Sequence, residues 1–242
     1  MSTTIVDNLR IIQNRINNAC KNSGRSTKEV RLLLATKTVS PEKISIAMQE
    51  GVTLMGENKA QEFKDKCNAV AEWNPEIHFI GHLQSNKIKE VLKWCTCIQS
   101  IDRLSLAEKL QQRLSFENKE IDVYIQVNTS NEESKFGISP ENAIELIKQV
   151  SKLKNIHIKG LMTIGLLSSE SNEVRKCFKL LKAIQEEVIQ LNIPNVSMDE
   201  LSMGMSNDLE IAIEEGATIV RVGTAIFGER IYPDSFYWNE QN

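Results

Sequence analysis

A chain of 242 residues, 41% hydrophobic and 25% charged, buries one substantial core, arranged as one large α/β domain or two small ones. A formal net charge of -3 excludes the basic stripe of a nucleic-acid binder, and no segment approaches the roughly 18 apolar residues of a membrane span. The amino terminus, "MSTTIVDNLRIIQNRINNAC", carries neither a signal core nor a cleavage pattern, so a cytoplasmic protein is expected.

In chain order, the first predicted element is a helix. Ile5, Leu9, Ile12 and Ile16 recur at helical spacing from Thr3 to about Asn22, and Gly24 supplies a stop. Short apolar or β-branched runs then alternate with longer amphipathic segments. Strands are predicted at 30–37, 53–57, 77–82, 96–100, 122–128, 156–163, 200–204 and 218–222. Between them, "SPEKISIAMQEG" reads as a helix with a Ser40 N-cap, Pro41 in its first turn and Gly51 at its end. "SPENAIELIKQVSKLKN" is a second, opening at Ser139 and Pro140 with a stripe of Ala143, Ile144, Ile147 and Val150. Strands alternating with helices, with no linker and no shift in composition, predict a single domain over 1–242. It is an α/β (β/α)8 TIM barrel with an extra N-terminal helix at about 3–22 and a short tail at about 230–242. A doubly wound open sheet is the rival, but no G-x-G-x-x-G opens a first helix here.

The five cysteines (Cys20, Cys67, Cys95, Cys97, Cys177) are odd in number and scattered, and the C-x-C at Cys95 has no second pair at zinc spacing. Reduced, mostly buried thiols and no metal are expected. His78 and His82, on one continuous strand, would stand roughly 13 Å apart at about 3.3 Å per residue, too far to share a metal.

In such a barrel, chemistry sits at the carboxyl ends of the strands and in the loops beyond them. The residues there are Lys37, Asn58, His82, Asn128, Met162 with Thr163, the stretch Ser202 to Ser206, and Arg221 with Gly223 and Thr224. Alternation puts Leu33, Ala35 and Lys37 on the interior face. Desolvation there favours a neutral amine, a nucleophile toward aldehydes that suits Schiff-base formation. A lysine turned to solvent, or paired with Glu57, is the alternative.

The last two loops bear on that choice. "LSMGMSNDLEIAIEEG" predicts a helix from near Asn207, with Gly204 allowing close backbone approach and the Ser206 and Asn207 amides at its positive end. "VRVGTAIFGE" sets Gly223 and Thr224 directly after the eighth strand. Loops after strands 7 and 8 of barrels commonly hold phosphate. An aldehyde-reactive lysine facing a phosphate cradle fits pyridoxal 5'-phosphate, although ordinary tight turns use the same small residues. Arg221 shares its face with Ile219 and Gly223. Beside a pyridine nitrogen it would donate a hydrogen bond, keep that nitrogen unprotonated and weaken the ring as an electron sink. A salt bridge to a carboxylate such as Glu57 is its alternative role.

Together, the blocks "ATKTVSPEKI", "GENKAQEF", "IHFIGHLQSNK", "IQSIDR", "IQVNTSNEESKFGI", "GLMTIG" and "LSMGMSNDLEIAIEEGATIVRVGTAIFGER" resemble the pyridoxal phosphate homeostasis proteins, single-domain relatives of the alanine racemase barrel. The resemblance runs from about residue 5 to Arg230. It implies a fold-type III pyridoxal phosphate barrel, with Lys37 as the Schiff-base lysine and Ser206, Gly223 and Thr224 as the phosphate cradle. It also implies Arg221 at the pyridine nitrogen, Asn58 lining the pocket and Met205 beside the ring or phosphate. Lys59 and Phe136 depart from the family pattern, standing where Tyr or Arg, and His, are frequent. The related racemases add a carboxyl-terminal β domain that supplies a second acid/base tyrosine, whereas Tyr232 and Tyr237 here lie in a tail too short to form one. The expectation is a cytoplasmic monomer that stores pyridoxal 5'-phosphate and delivers it to apo-enzymes without robust catalysis, with no nucleic-acid or membrane partner. A weak racemase-like amino acid enzyme, with His82 or Lys37 as base, and an interaction protein reporting cofactor state are the alternatives.

Overall fold

The computed structural model describes residues 4–168 and 170–228; the predicted tail with Tyr232 and Tyr237 lies outside the described residues. Thr4 and Asp7 form a reciprocal capping box that starts α1 (Ile5–Asn22), whose buried face is Leu9, Ile12, Ile16, Ala19 and Cys20. Strands and helices then alternate: β1 (Arg31–Ala35), α2 (Pro41–Gln49), β2 (Leu54–Glu57), α3 (Phe63–Ala69), β3 (Glu76–Phe79), α4 (Ile88–Val91), β4 (Cys97–Ile101) and α5 (Leu104–Glu117). They continue with β5 (Ile121–Gln126), α6 (Pro140–Val150), β6 (Ile156–Met162), α7 (Ser171–Leu191), β7 (Val196–Ser202), α8 (Leu209–Glu214), β8 (Ile219–Val222) and the single turn α9 (Thr224–Phe227). The strands pair in sequence order and close, with β8 running parallel to β1. This is the predicted (β/α)8 barrel with its extra N-terminal helix, and not an open sheet.

The strands are shorter than their apolar runs. Lys37, His82, Asn128, Thr163 and Gly204, all predicted as strand residues, lie just beyond strand ends. At β1 the cause is visible. The Thr36 amide donates a ladder bond to the Gly56 carbonyl at 3.0 Å, and Thr38 then takes a left-handed φ of 63°, which ends pairing before Lys37 can extend it. His78 and His82 are likewise not on one continuous strand, because β3 ends at Phe79.

The apolar residues sort into two layers. Leu33, Leu54, Cys97, Tyr124, Met162 and Ile219 pack inside the barrel, while the larger shell lies between sheet and helices and includes Leu34, Met55, Phe63, Ile98, Phe178 and Val220. Full burial of such a side chain contributes about 1.5–3 kcal/mol, so the outer shell carries most of the stability. The inner positions can then hold polar groups.

The extra helix braces the last two units. Both Nε and Nη2 of Arg15 on α1 donate to Glu210 of α8, at 2.6 and 2.8 Å. Asn8 donates to the Ile226 carbonyl of α9 at 2.9 Å, and Arg25, in the segment just past α1, to the carbonyls of Ile213 and Ala217 at 2.7 and 2.8 Å. α1 therefore fixes the turns that follow β7 and β8. Among the described residues no helix is long and apolar enough to cross a membrane.

Candidate functional site

Lys37 stands in the turn after β1 and is 5% exposed. The register sets Ala35 against Gly56, so the turn carrying Lys37 lies beside Asn58, just past β2. Glu57 is engaged by a different lysine: Lys66 donates to its Oε1 at 2.7 Å, and the Thr36 hydroxyl also bonds it. Glu57, the partner suggested as an alternative for Lys37 and Arg221, thus already holds an ion pair with Lys66.

The loop after β7 differs from its predicted form. α8 begins at Leu209 rather than near Asn207, because Asp208 is its N-cap residue and the Asp208 Oδ1 accepts from the Met205 amide at 2.5 Å. That bond closes Met205, Ser206 and Asn207 into a turn ahead of the helix. Burial pushes the Asp208 carboxyl up, partly offset by the Met205 amide and by the charge of Arg221. Gly204 takes φ 91°, and a Cβ on it would stand 2.5 Å from that of Ala212, so its glycine serves packing on α8. After β8, Ser206 Oγ lies 3.4 Å from both the Thr224 hydroxyl and the Ala225 amide, which brings two hydroxyls and an amide together. A Cβ on Gly223 would approach the Ala35 carbonyl at 2.8 Å. This glycine is needed for the close approach of β8 to the end of β1.

Arg221 points into the barrel, as strand alternation predicted, and is 6% exposed. Its Nη1 donates to Ser202 Oγ at 2.9 Å and its Nη2 to the Thr163 carbonyl at 2.7 Å. Burial pulls its pKa down to about 10, still well above neutrality, so it stays a cation. Ser202 passes its own hydrogen to Gln99 Oε1 at 2.6 Å, and the Gln99 amide nitrogen lies 2.6 Å from His78 Nδ1. An amide nitrogen only donates, so Nδ1 accepts and the ring proton sits on Nε2. From there it reaches Glu76 Oε1 at 2.6 Å. One directed chain therefore runs Arg221, Ser202, Gln99, His78, Glu76 through the barrel.

The chain ends at the opposite, amino-terminal mouth, where Arg31, Glu76, His78, Tyr124 and Glu200 are among the residues lining a cavity of about 300 Å³. Chiefly the interaction with the His78 ring, with the Arg31 guanidinium adding to it, holds the Glu76 carboxyl down to about 2 despite its partial burial. A carboxylate pKa that falls on folding stabilises the native state above the unfolded value of about 4.3, and that contribution is lost as pH falls toward the folded value. Glu76→Gln is therefore expected to be less stable than the parent at pH 7, with the difference closing on acidification from about 4.3 to 2. Urea denaturation at a series of pH values checks this; a pH-independent difference would contradict it.

At the rim, His82 and Phe136 stack with ring centroids 3.8 Å apart and planes at 16°, and His82 Nδ1 lies 3.8 Å from Asp102 Oδ2. Phe136 thus supplies a ring face to His82. Cys20, Cys67, Cys97 and Cys177 are buried and Cys95 is partly buried, all as free thiols; burial pushes Cys67 up to about 12.

Lys37, Asn58, Met205, Ser206, Arg221, Gly223 and Thr224 all lie at the carboxyl ends of β1, β2, β7 and β8, which are consecutive neighbours in the closed sheet. Sequence reasoning missed the Lys66–Glu57 pair and the polar chain behind Arg221. Residues 6–231 match the family described as "Alanine racemase, N-terminal domain". A pyridoxal phosphate homeostasis protein of Aquifex aeolicus is 43% identical over 226 residues, 93% of this chain and 98% of that one. The chain belongs to the pyridoxal phosphate homeostasis family. PipY of Synechococcus elongatus, solved with pyridoxal phosphate (PLP) bound, aligns with a TM-score of 0.77 at 29% identity, over 88% of this chain and 100% of that chain. An alanine racemase of Clostridium difficile aligns with a TM-score of 0.71 at 16% identity, covering 94% of this chain and 58% of that one. The second likeness is one of fold. It places this family's barrel among those of the racemases.

Proposed function

We propose that this protein binds pyridoxal 5'-phosphate at the carboxyl end of the barrel and serves its homeostasis in the cytoplasm, storing the cofactor as a monomer and delivering it to apo-enzymes. The observation that carries this reading is the convergence of a buried lysine, a buried arginine and a small polar turn on adjacent strand ends. When bound, the cofactor supplies an aldehyde that condenses with an amine, a pyridine nitrogen and a phosphate. The residues fit each part. Lys37 offers the amine from a desolvated turn. Ser206, Thr224 and the Ala225 amide group around one point, a donor set suited to phosphate. Arg221 gives one N–H each to Ser202 and Thr163, out of the five a guanidinium has. Asn58, after β2, and Met205, after β7, flank these residues along the closed sheet.

Arg221 also favours carriage over catalysis. Were the pyridine nitrogen to lie against it, this permanent cation would disfavour protonation there and limit the charge the ring can take up. Its cationic state is supported by the pKa of about 10. To test delivery, the loaded protein is mixed with an apo form of a pyridoxal phosphate-dependent enzyme while a phosphatase destroys free cofactor. The enzyme is expected to regain activity despite the phosphatase. Complete suppression of that recovery would mean that the cofactor is only released to solution, and failure to load the protein would overturn the reading entirely.

A further inference from the structure

Outside the site, on the helix side of the sheet, Lys66 of α3 is 5% exposed. Its ammonium donates to the Thr36 carbonyl at 2.6 Å, to Glu57 Oε1 at 2.7 Å, and to Glu62 Oε2. Three N–H groups thus meet three oxygens. The two carboxylates in turn grip the chain on both sides of Lys37. Glu57 accepts from the Thr36 hydroxyl, and Glu62 Oε2 accepts from the Thr38 amide at 3.0 Å. The other oxygen of Glu57 is buried and makes no hydrogen bond among the described residues, so Lys66 supplies the charge that keeps this carboxylate in place.

The turn so gripped is strained. Thr38 holds φ 63°, a conformation uncommon for a β-branched residue, and its hydroxyl donates to the Lys37 carbonyl at 2.6 Å. A residue in that region persists where its surroundings over-determine it. Here Thr36 is held by its carbonyl and hydroxyl and Thr38 by its amide, leaving Lys37 between two fixed points.

We infer that Lys66, acting through Glu57 and Glu62, is a positioning residue that sets the direction of Lys37 and thereby controls its covalent capture of the cofactor. The inference rests on the reading of Lys37 as the attachment lysine. Its test is a double-mutant cycle that separates the two claims. The link through Lys66 is cut by Lys66→Met with Glu57→Gln, which takes out two of the three charges and leaves no uncompensated carboxylate at the buried Glu57, while the partly exposed Glu62 keeps its bond to the Thr38 amide. Pyridoxal 5'-phosphate binding and the rate of borohydride-trappable attachment are then measured with Lys37 present and in a Lys37→Ala background.

With Lys37 present, affinity and attachment rate are expected to fall about tenfold, and in the Lys37→Ala background the clamp change should alter affinity less than about twofold, the range of independent sites. Equal losses in both backgrounds would show a general effect on the pocket and overturn the inference, as would no loss in either. If Lys37→Ala alone leaves affinity unchanged, it is the attachment reading that fails. Should this double variant not fold by circular dichroism, Thr36→Val, which removes the hydroxyl bond to Glu57 together with the hydroxyl's contact to the Gly56 carbonyl, is carried through the same cycle. A loss of about threefold confined to the Lys37 background is then expected, and any other pattern contradicts the inference.

Discussion

Lys37→Ala is expected to yield a folded protein that binds pyridoxal 5'-phosphate far more weakly and no longer turns yellow with it. The fold should survive because the turn is held through its neighbours: the Thr36 carbonyl by Lys66 and the Thr38 amide by Glu62. The binding loss follows from the geometry of two attachments joined in one ligand. Each raises the effective concentration of the other, and linkage of this kind adds about 10²–10⁴-fold over either alone. What should remain in the variant is the non-covalent part, which the proposed site assigns to Arg221 and the turn of Ser206, Thr224 and Ala225. Titration followed by absorbance and by equilibrium dialysis measures both quantities. Unchanged affinity and colour would place the attachment elsewhere.

Arg221→Gln should weaken binding by about ten- to a hundredfold, because a hydrogen bond from a charged donor contributes about 1.5–3 kcal/mol and about 1.4 kcal/mol is a factor of ten. Glutamine is the informative replacement. It keeps a donor for Ser202 or for the Thr163 carbonyl, both of which Arg221 now satisfies, while removing the charge. A glutamate would instead point an acceptor at the Thr163 carbonyl. Borohydride should still fix cofactor to Lys37 in this variant, since the β1 turn is built without Arg221. Dialysis and peptide mapping together check the outcome; full retention of affinity would mean that the cofactor does not reach the guanidinium.

The architecture was legible because parallel strands buried on both faces read as short apolar runs, and each such run sits in the barrel at its expected place. Their ends were less legible. Apolarity continues past the last ladder bond into packed loops, so "VRLLLATKTV" looks like strand through Lys37 although pairing stops earlier. At β7 the opposite occurs: Ser197 and Asp199 face solvent and Met198 adopts φ 53°, which hides the start of the strand at Val196. Lys37, Arg221, Ser206 and Thr224 could be singled out because a polar residue at a barrel strand end has few structural reasons to be there. Asn58 and Met205 were given roles by family resemblance.

The supporting network was not legible, since its partners are joined by barrel closure rather than by sequence spacing. Ser202 meets Gln99 across 103 residues, and Arg221 meets the Thr163 carbonyl across 58. A faint signal existed: His78 in "EIHF", Gln99 in "CIQSI" and Ser202 in "ELSM" are polar residues at inward positions of their strands. Such positions require partners when buried, but the sequence does not say which ones.

The most direct test of the central claim is borohydride reduction of the protein loaded with pyridoxal 5'-phosphate, followed by proteolysis and mass spectrometry. One phosphopyridoxyl adduct is expected, on the peptide containing Lys37. An adduct on another lysine, such as Lys59 or Lys87, or cofactor that leaves unreduced, would contradict it.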